Sequence, residues 1–241
     1  MTERGSDRVT RDATRLVIGP SALEWLEGGL RLHLDEITTP LPSRIRGTIE
    51  VRTGPRPAHR VNLDAQGRHR WGVIAPCARV DVRLDAPRLT WSGPAYLDSN
   101  RGCVPLEDDF VRWDWSRAHR ADGRTAVVYD VERRDGKPLS IAHWFDDAGR
   151  TGSFDAPPAA PLPRTRWGLE QTTRSDAGSG IDRTPRIAMA MEDGPFYARS
   201  VVRTRWGGEP VTSVHEHLSL QRFERRWVRA LLPFRMPRRI V

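Results

Sequence analysis

Thr125–Val131 (TAVVYDV) and Leu139–Phe145 (LSIAHWF), on either side of Glu132–Gly136 (ERRDG), decide the fold class of this chain. Both outer segments are short and apolar, with residue types that are typical of β-strands. The dipeptide Asp135-Gly136 between them favours a tight turn that joins two antiparallel strands. This stretch therefore predicts a β-hairpin.

Similar signals occur on both sides of this hairpin. Alternating apolar and polar residues predict further strands, and one turn-rich segment predicts a second hairpin. These segments are Leu30–Leu34, Arg44–Val51, Ala78–Leu84, Asp146–Arg150, Phe196–Thr204 and Val211–Phe223. Many short strands, separated by turn residues about every ten positions, are typical of β-sandwiches and barrels. The sequence therefore predicts an all-β fold.

The composition indicates a chain that does not span a membrane. Of its 241 residues 38% are hydrophobic, and the mean hydropathy is −0.58. No apolar run approaches the roughly 18 residues that a spanning helix needs, and Met1–Gly5 does not begin a signal peptide. A cytoplasmic location is therefore expected. Cys77 and Cys103 lack metal-ligand spacing and are expected to be reduced core residues.

The charge balance is strongly basic, with 39 lysines and arginines against 31 acidic residues and a net charge of +8. Such a balance favours anionic partners, although a GC-rich genome also produces an excess of arginine. No zinc-finger spacing, RNA-binding core or helix-turn-helix pattern occurs, so nucleic acid is not an expected partner. Phe223–Val241 interleaves apolar and aromatic residues with arginines. This segment fits a lipid headgroup boundary, or a short helix or strand that closes a barrel.

Two short strands carry the residues with the most informative chemistry. Residues i and i+2 of a strand point to the same face, so Tyr96 and Asp98 share one face, and His69 and Trp71 share another. If both faces line the same cavity, a carboxyl group, an imidazole and two electron-rich rings meet there. That combination suits protonation of an alkene and shielding of the resulting carbocation.

Each of these residues also has a structural interpretation. Residues such as His69, Trp71 and Tyr96 are often satisfied members of a core, and Asp98 with Asn100 often forms a turn or a cap.

Two other constellations are interpreted as structural. Trp113 and Trp115 share a strand face, while Asp114 is expected to point the other way, toward an arginine. His215-Glu216-His217 provides two alternating histidines without a third metal ligand at useful spacing. A metal site is therefore not predicted.

Several segments resemble the carotenoid 1,2-hydratases, also called hydroxyneurosporene synthases. The resemblance extends nearly from end to end. It rests on Gly19–Trp25 (GPSALEW), Tyr96–Asn100 (YLDSN), Phe110–Arg117 (FVRWDWSR), Pro195–Arg199 (PFYAR), His215–Leu220 (HEHLSL) and Leu232–Pro237 (LPFRMP). The family's His-x-Trp and Tyr-x-Asp elements fall on His69 and Trp71 and on Tyr96 and Asp98.

The resemblance implies two lipocalin-like β-barrel units. A domain boundary near Pro105–Asp109 divides the chain into residues 1–108, which carry the proposed site, and residues 109–241, which carry the basic aromatic tail. Family members carry further residues ahead of the position of Met1. The first barrel is therefore expected to lack its N-terminal strands, and an open sheet edge would favour aggregation.

The family reaction adds water to the terminal C1=C2 double bond of acyclic carotenoids such as neurosporene and lycopene, without a cofactor. The resemblance makes Asp98 the acid that protonates C2. Tyr96 and Trp71 would stabilise the tertiary cation at C1, and His69 would bind the carboxyl group or the attacking water. The expected protein is a hydro-lyase peripheral to the inner membrane.

Two other functions remain open at this point. The first alternative is a lipocalin-like carrier of isoprenoid lipids or carotenoids, which would need no acid. The second is a related barrel that catalyses another reaction, such as a cyclisation.

Overall fold

The computed structural model describes residues 2–38, 41–176, 184–231 and 236–237. Strands predominate and the helices are short, so the predicted all-β fold class is confirmed. The strands are β1 (Thr2–Glu3), β2 (Val9–Arg11), β3 (Arg15–Ile18), β4 (Ser21–Leu26), β5 (Gly29–Ile37), β6 (Arg44–Arg52), β7 (Arg60–Asn62), β8 (His69–Ala86), β9 (Arg88–Gly102), β10 (Phe110–His119), β11 (Thr125–Arg133), β12 (Leu139–Phe145), β13 (Thr151–Ser153), β14 (Ala159–Pro161), β15 (Thr172–Arg174), β16 (Arg186–Asp193), β17 (Tyr197–Trp206), β18 (Glu209–Ser219) and β19 (Met236–Pro237).

The helices are a 3-10 turn at Ser6–Arg8, α1 (Leu106–Asp109), α2 (Leu220–Phe223) and α3 (Arg226–Leu231). Within the described ranges, no helix has the length and apolar character needed to span a membrane.

The strands form two large antiparallel sheets. One has the order β13-β12-β11-β10-β18-β17-β16, and the other has the order β2-β3-β4-β5-β6-β8-β7, with β9 paired to β8. β14 and β15 form a small antiparallel pair, whereas β1 and β19 pair in parallel. Most sheet neighbours are close in sequence, as expected for chains built from hairpins.

The chain forms two compact units. Unit 1 contains Met1–Arg56, Ala75–Leu97 and Leu231–Val241, and unit 2 contains Pro57–Ile74 and Asp98–Ala230. Strands β8 and β9 therefore each contribute residues to both units. The sequence predicts a division into residues 1–108 and residues 109–241. This division remains a prediction, as does the lipocalin-like form of the barrels.

Most of the predicted strands are confirmed. β11 and β12 pair with Tyr129 opposite Ile141, and Gly136 has a φ of +75° in the turn between them, where glycine is favoured. His69–Trp71 and Ala78–Leu84 belong to one long strand, β8.

The predicted strand Val211–Phe223 is wrong at its end, because β18 stops at Ser219 and α2 begins at Leu220. The Ser219 side chain accepts a hydrogen bond from the Arg222 backbone N–H at 3.3 Å, which caps the helix.

One face of the sheet in unit 2 carries a buried polar network. Asp114 lies opposite His217, and Ser116 lies opposite His215, in the register of β10 and β18. His217 Nδ1 is 2.8 Å from Asp114 Oδ1, the Thr172 hydroxyl donates to Asp114 Oδ2 at 2.9 Å, and Ser116 Oγ is 2.9 Å from His215 Nδ1. Asp114 lies on the strand face opposite to Trp113 and Trp115, as predicted. It is hydrogen-bonded to an imidazole and a hydroxyl, and its charge also raises the pKa of Arg112 and Arg174.

Burial and pairing set the charges in this network. His215 is fully buried, and this burial lowers its pKa to about 4 although Asp114 nearby acts in the opposite direction. Burial alone would raise the pKa of Asp114. The hydrogen bond from His217 and the two nearby imidazoles outweigh it and lower the pKa. The network therefore combines a carboxylate with a neutral His215 at pH 7.

This network predicts that the folded state loses stability as the pH falls from 6.5 to 4. Unfolded His215 takes up a proton near its ordinary pKa of 6.5, whereas folded His215 does so only at about 4. Its contribution is complete above pH 6.5, and about 3 kcal/mol of it is lost by pH 4. The variant His215→Asn does not titrate, so wild type should lose about 3 kcal/mol more than the variant over this range. Urea unfolding at several pH values measures the loss of stability of both proteins. Equal losses would contradict the low pKa of His215 in the folded state.

Candidate active site

β8 places His69 and Trp71 on the same side of the strand, as the sequence predicts. Both side chains are buried, while Arg70 between them is exposed. β7 pairs with β8 so that Val61 lies opposite Trp71. The long strand thus holds an imidazole and an indole side by side in unit 2.

The most informative contact of the site joins Trp71 to Asp98. The Trp71 indole N–H donates a hydrogen bond of 2.7 Å to Asp98 Oδ2. Trp71 is fully buried, and a buried indole N–H needs an acceptor. Asp98 lies in β9 and is half-buried. Two of the four predicted site residues are therefore in direct contact.

His69 is held by two other carboxylates. Its backbone N–H donates to Asp64 Oδ1 at 2.6 Å, and its Nε2 lies 3.1 Å from Asp109 Oδ2. Asp109 also forms an ion pair with Arg68, and the His69 ring packs against Phe110 with ring centroids 4.8 Å apart. His69 is therefore fixed at the start of β8. Its predicted interaction with the Asp98 carboxyl group or with water remains a prediction.

Tyr96 lies two residues before Asp98 in β9 and is half-buried. It belongs to unit 1, whereas the other three predicted residues belong to unit 2. Its predicted role in cation stabilisation remains a prediction.

Tyr129, an aromatic residue that the sequence analysis did not single out, packs against Trp71. Tyr129 is buried and lies edge-on to both Trp71 and Trp113, with ring centroids 5.8 Å and 6.1 Å apart. Burial, followed by the negative charge of Asp98, raises the pKa of the Tyr129 hydroxyl. The phenol therefore stays neutral at pH 7.

Two further histidines border the same cluster. The rings of His59 and His143 have centroids 4.5 Å apart, and His59 lies edge-on to Trp71 at 5.7 Å. Burial lowers the pKa of both imidazoles, and for His59 the neighbouring His143 lowers the pKa further. Both rings are therefore neutral at pH 7 and able to accept a proton.

Comparison with known proteins identifies the family of this chain. The family model described as "Carotenoid hydratase CrtC" matches residues 1–241. The chain belongs to this carotenoid hydratase family. The resemblance predicted from the sequence motifs is confirmed.

Similar proteins include three acyclic carotenoid 1,2-hydratases. Those of Rubrivivax gelatinosus and Thiocapsa roseopersicina are 49% and 47% identical over 99% of this chain. That of Cereibacter sphaeroides is 37% identical over 99% of this chain and 84% of its own length. The chain spans 58% of the length of each of the first two relatives.

Within this chain, the side chains around Asp98 combine groups with different chemical capabilities. The Asp98 carboxyl group is oriented by an N–H donor, neighbouring aromatic rings suit a cation, and neutral imidazoles provide proton acceptors. This combination supports acid–base chemistry on an apolar molecule.

A close approach between β9 and His69 provides a test of the imidazole's position. A Cβ added at Gly102 would lie 2.5 Å from His69 Nδ1, a distance at which the buried ring has to move. We expect Gly102→Ala to lower the free energy of unfolding by about 1–3 kcal/mol, as overpacking does. Urea unfolding measures this change.

Gly93→Ala is the matched control in the same strand. A Cβ at Gly93 would meet Trp91 at 3.6 Å, an ordinary contact, so its stability should be close to that of the wild type. Equal stabilities of the two variants would contradict the described position of His69.

Proposed function

We propose that this chain adds water to the terminal C1=C2 double bond of acyclic carotenoids, such as neurosporene and lycopene, and gives 1-hydroxy carotenoids without a cofactor. The observation that carries the proposal is the hydrogen bond from Trp71 to Asp98 beside a group of aromatic rings. Membership of the carotenoid hydratase family supports it. Three similar proteins are named acyclic carotenoid 1,2-hydratases.

Asp98 is the proposed acid. Its carboxyl group transfers a proton to C2, and the electrons of the double bond leave a tertiary cation at C1. The Trp71 N–H directs the carboxyl group and stabilises the carboxylate that remains after the transfer, because a hydrogen bond to the charged form favours it. Trp71 is therefore proposed as a positioning residue.

The rings near Asp98 are proposed to stabilise the cation. An aromatic face attracts a desolvated cation by about 2 kcal/mol or more. Tyr129 and Trp113 provide such rings in unit 2, and Tyr96 is proposed to provide another from its place in β9. His69, held by Asp109, fixes the strand end that carries Trp71.

Product analysis in heavy-oxygen water tests the reaction. The purified chain is incubated with lycopene or neurosporene in detergent, alongside Asp98→Asn and the control Asp85→Asn, an exposed carboxyl group of β8. We expect wild type and the control to give an alcohol that carries one labelled oxygen. Asp98→Asn should reduce its formation by at least about 100-fold, as loss of a general acid does.

The other outcomes separate the competing functions. If Asp98→Asn forms as much alcohol as the wild type, Asp98 is not the acid that protonates C2. Carotenoid bound tightly but unchanged by the wild type would favour the non-catalytic carrier. A cyclised product would favour the related barrel that catalyses another reaction.

We further propose that the protein binds the surface of an anionic membrane, where its apolar substrate resides. Trp167 and Trp227 are exposed by 43% and 45%, and their rings stack with centroids 6.0 Å apart. The Arg222 guanidinium lies 5.4 Å from the Trp227 ring centroid and donates to the Trp167 carbonyl at 2.6 Å. We call this the Trp167–Trp227 patch.

The surroundings of the Trp167–Trp227 patch are basic. Arg225 and Arg226 are exposed beside it at the start of α3. Exposed indoles with adjacent cations suit the boundary between anionic headgroups and acyl chains. Residues 232–235 and 238–241 of the predicted basic tail lie outside the described residues.

Vesicle sedimentation tests this surface. We expect the double variant Trp167→Ser/Trp227→Ser to bind vesicles of phosphatidylcholine and phosphatidylglycerol at least about tenfold more weakly than wild type, because it loses two interfacial indoles. Trp91→Ser is the control, since Trp91 is 49% exposed and belongs to unit 1. A loss of binding in Trp91→Ser but not in the double variant would assign the contact to another surface.

A further inference from the structure

His59 is positioned by the pairing of β7 with β8. Arg60 lies opposite Gly72, and the His59 carbonyl accepts the Val73 N–H at 3.3 Å. His59 therefore lies diagonally from Trp71 on the same strand face, since Val61 lies directly opposite Trp71. The measured contact between the His59 and Trp71 rings agrees with this register.

His143 is positioned independently by β12, where it lies opposite Val127 in β11 and opposite Ser153 in β13. Tyr129 and Val127 are two residues apart in β11 and share a face. His143 therefore lies on the same face of this sheet as Tyr129, the phenol next to the Asp98 carboxyl group.

The two imidazoles carry nitrogens that need a partner. His59 Nε2 and His143 Nδ1 are both buried, and neither has a hydrogen-bond partner in the part of the chain that the structure describes. A buried polar atom without a partner is unfavourable, because it has lost its hydrogen bonds to water and gained none. A small molecule that can hydrogen-bond would remove this cost.

Aromatic side chains lie next to His59. Phe145 lies edge-on to His59 with ring centroids 5.2 Å apart, and Trp71 borders the other side. The same Trp71 side chain holds Asp98 through its N–H. The acid and His59 are therefore both in contact with one indole.

We infer that His59 and His143 bind the water that attacks the carotenoid cation and that one of them accepts its proton. This inference rests on the proposed hydration reaction. His69 is less suited to the role because its Nε2 faces the Asp109 carboxylate. The ligand of the imidazole pair is thus water in the forward reaction and the tertiary hydroxyl of the product in reverse.

The proposed step balances as follows. Proton transfer from Asp98 forms the C2–H bond and leaves a carboxylate and the C1 cation. A lone pair of the bound water forms the C1–O bond. One O–H bond of that water breaks, its electrons stay on oxygen, and the proton goes to an imidazole nitrogen. The imidazolium then returns this proton to the Asp98 carboxylate through solvent, so the net change is addition of one water.

Reaction in heavy water separates protonation from water capture. If the cation forms but is not captured, Asp98 can take a proton back from C2, and the recovered alkene then carries deuterium. The variants are His59→Gln, His143→Gln and the double variant, because glutamine keeps hydrogen-bonding atoms but does not accept a proton at neutral pH. His33→Gln is the control at an exposed histidine of β5. Mass spectrometry measures both alcohol formation and deuterium in the recovered carotenoid.

We expect the double variant to form the alcohol at least about 100-fold more slowly than wild type. Deuterium should still enter the recovered alkene at close to the wild-type rate, and circular dichroism should show an unchanged fold. A purely structural role of the two histidines would not slow alcohol formation while deuterium exchange continues. Alcohol formation at the wild-type rate would overturn the inference, and so would loss of both alcohol and deuterium exchange.

Asp98→Asn distinguishes this inference from the proposed function. It should lose both alcohol and exchange. If Asp98→Asn keeps both while the histidine variants lose only the alcohol, the assigned acid is wrong and the water site stands. If wild type shows neither alcohol nor exchange, the proposed function fails and the water site falls with it.

Discussion

The hydrogen bond between Trp71 and Asp98 is the constraint on which the rest of the site depends. A fully buried indole N–H requires an acceptor, and an acidic side chain half-buried among rings requires a donor. The hydrogen bond therefore offsets the cost of burying the indole N–H of Trp71 and the cost of partly burying the Asp98 carboxyl group. The bond also fixes where β9 lies along β8 at this point, and it thereby directs the carboxyl group relative to Tyr129.

The sheet in unit 2 shows how one set of strands serves two purposes. On one face, Asp114, His215 and His217 form a buried polar network, in which His215 Nε2 has no hydrogen-bond partner within the described residues. On the other face, Tyr129 and His143 contribute to a cluster whose imidazole nitrogens are unpartnered within the described chain. The alternation of side chains along β10, β11, β12 and β18 keeps these two environments apart. One face therefore carries the buried polar network, and the other carries rings and imidazoles of the candidate site.

Much of this arrangement follows from local sequence rules. The period of two along a strand predicts that Trp71 accompanies His69 and that Asp98 accompanies Tyr96, and turn chemistry predicts the hairpin at Gly136. The bond between Trp71 and Asp98 was beyond those rules because it joins residues 27 positions apart. Tyr129, His59 and His143 were missed because each occurs in a segment whose pattern indicates only a strand or a loop. The end of β18 was misjudged because the apolar pattern continues past the Ser219 cap into α2.

The discontinuity of unit 2 has a consequence for how the chain folds. Residues 57–74 are synthesised before the excursion through residues 75–97, and the rest of the unit follows at residue 98. The acceptor of Trp71 in β9 is therefore synthesised after Trp71 itself, and the rings of β10 and β11 are synthesised later still. Contacts between distant residues require costly loop closure and slow the folding of a domain. Until residue 98 and the strands β10 and β11 have been synthesised, the Trp71 indole lacks the acceptor and the rings that it contacts in the folded chain.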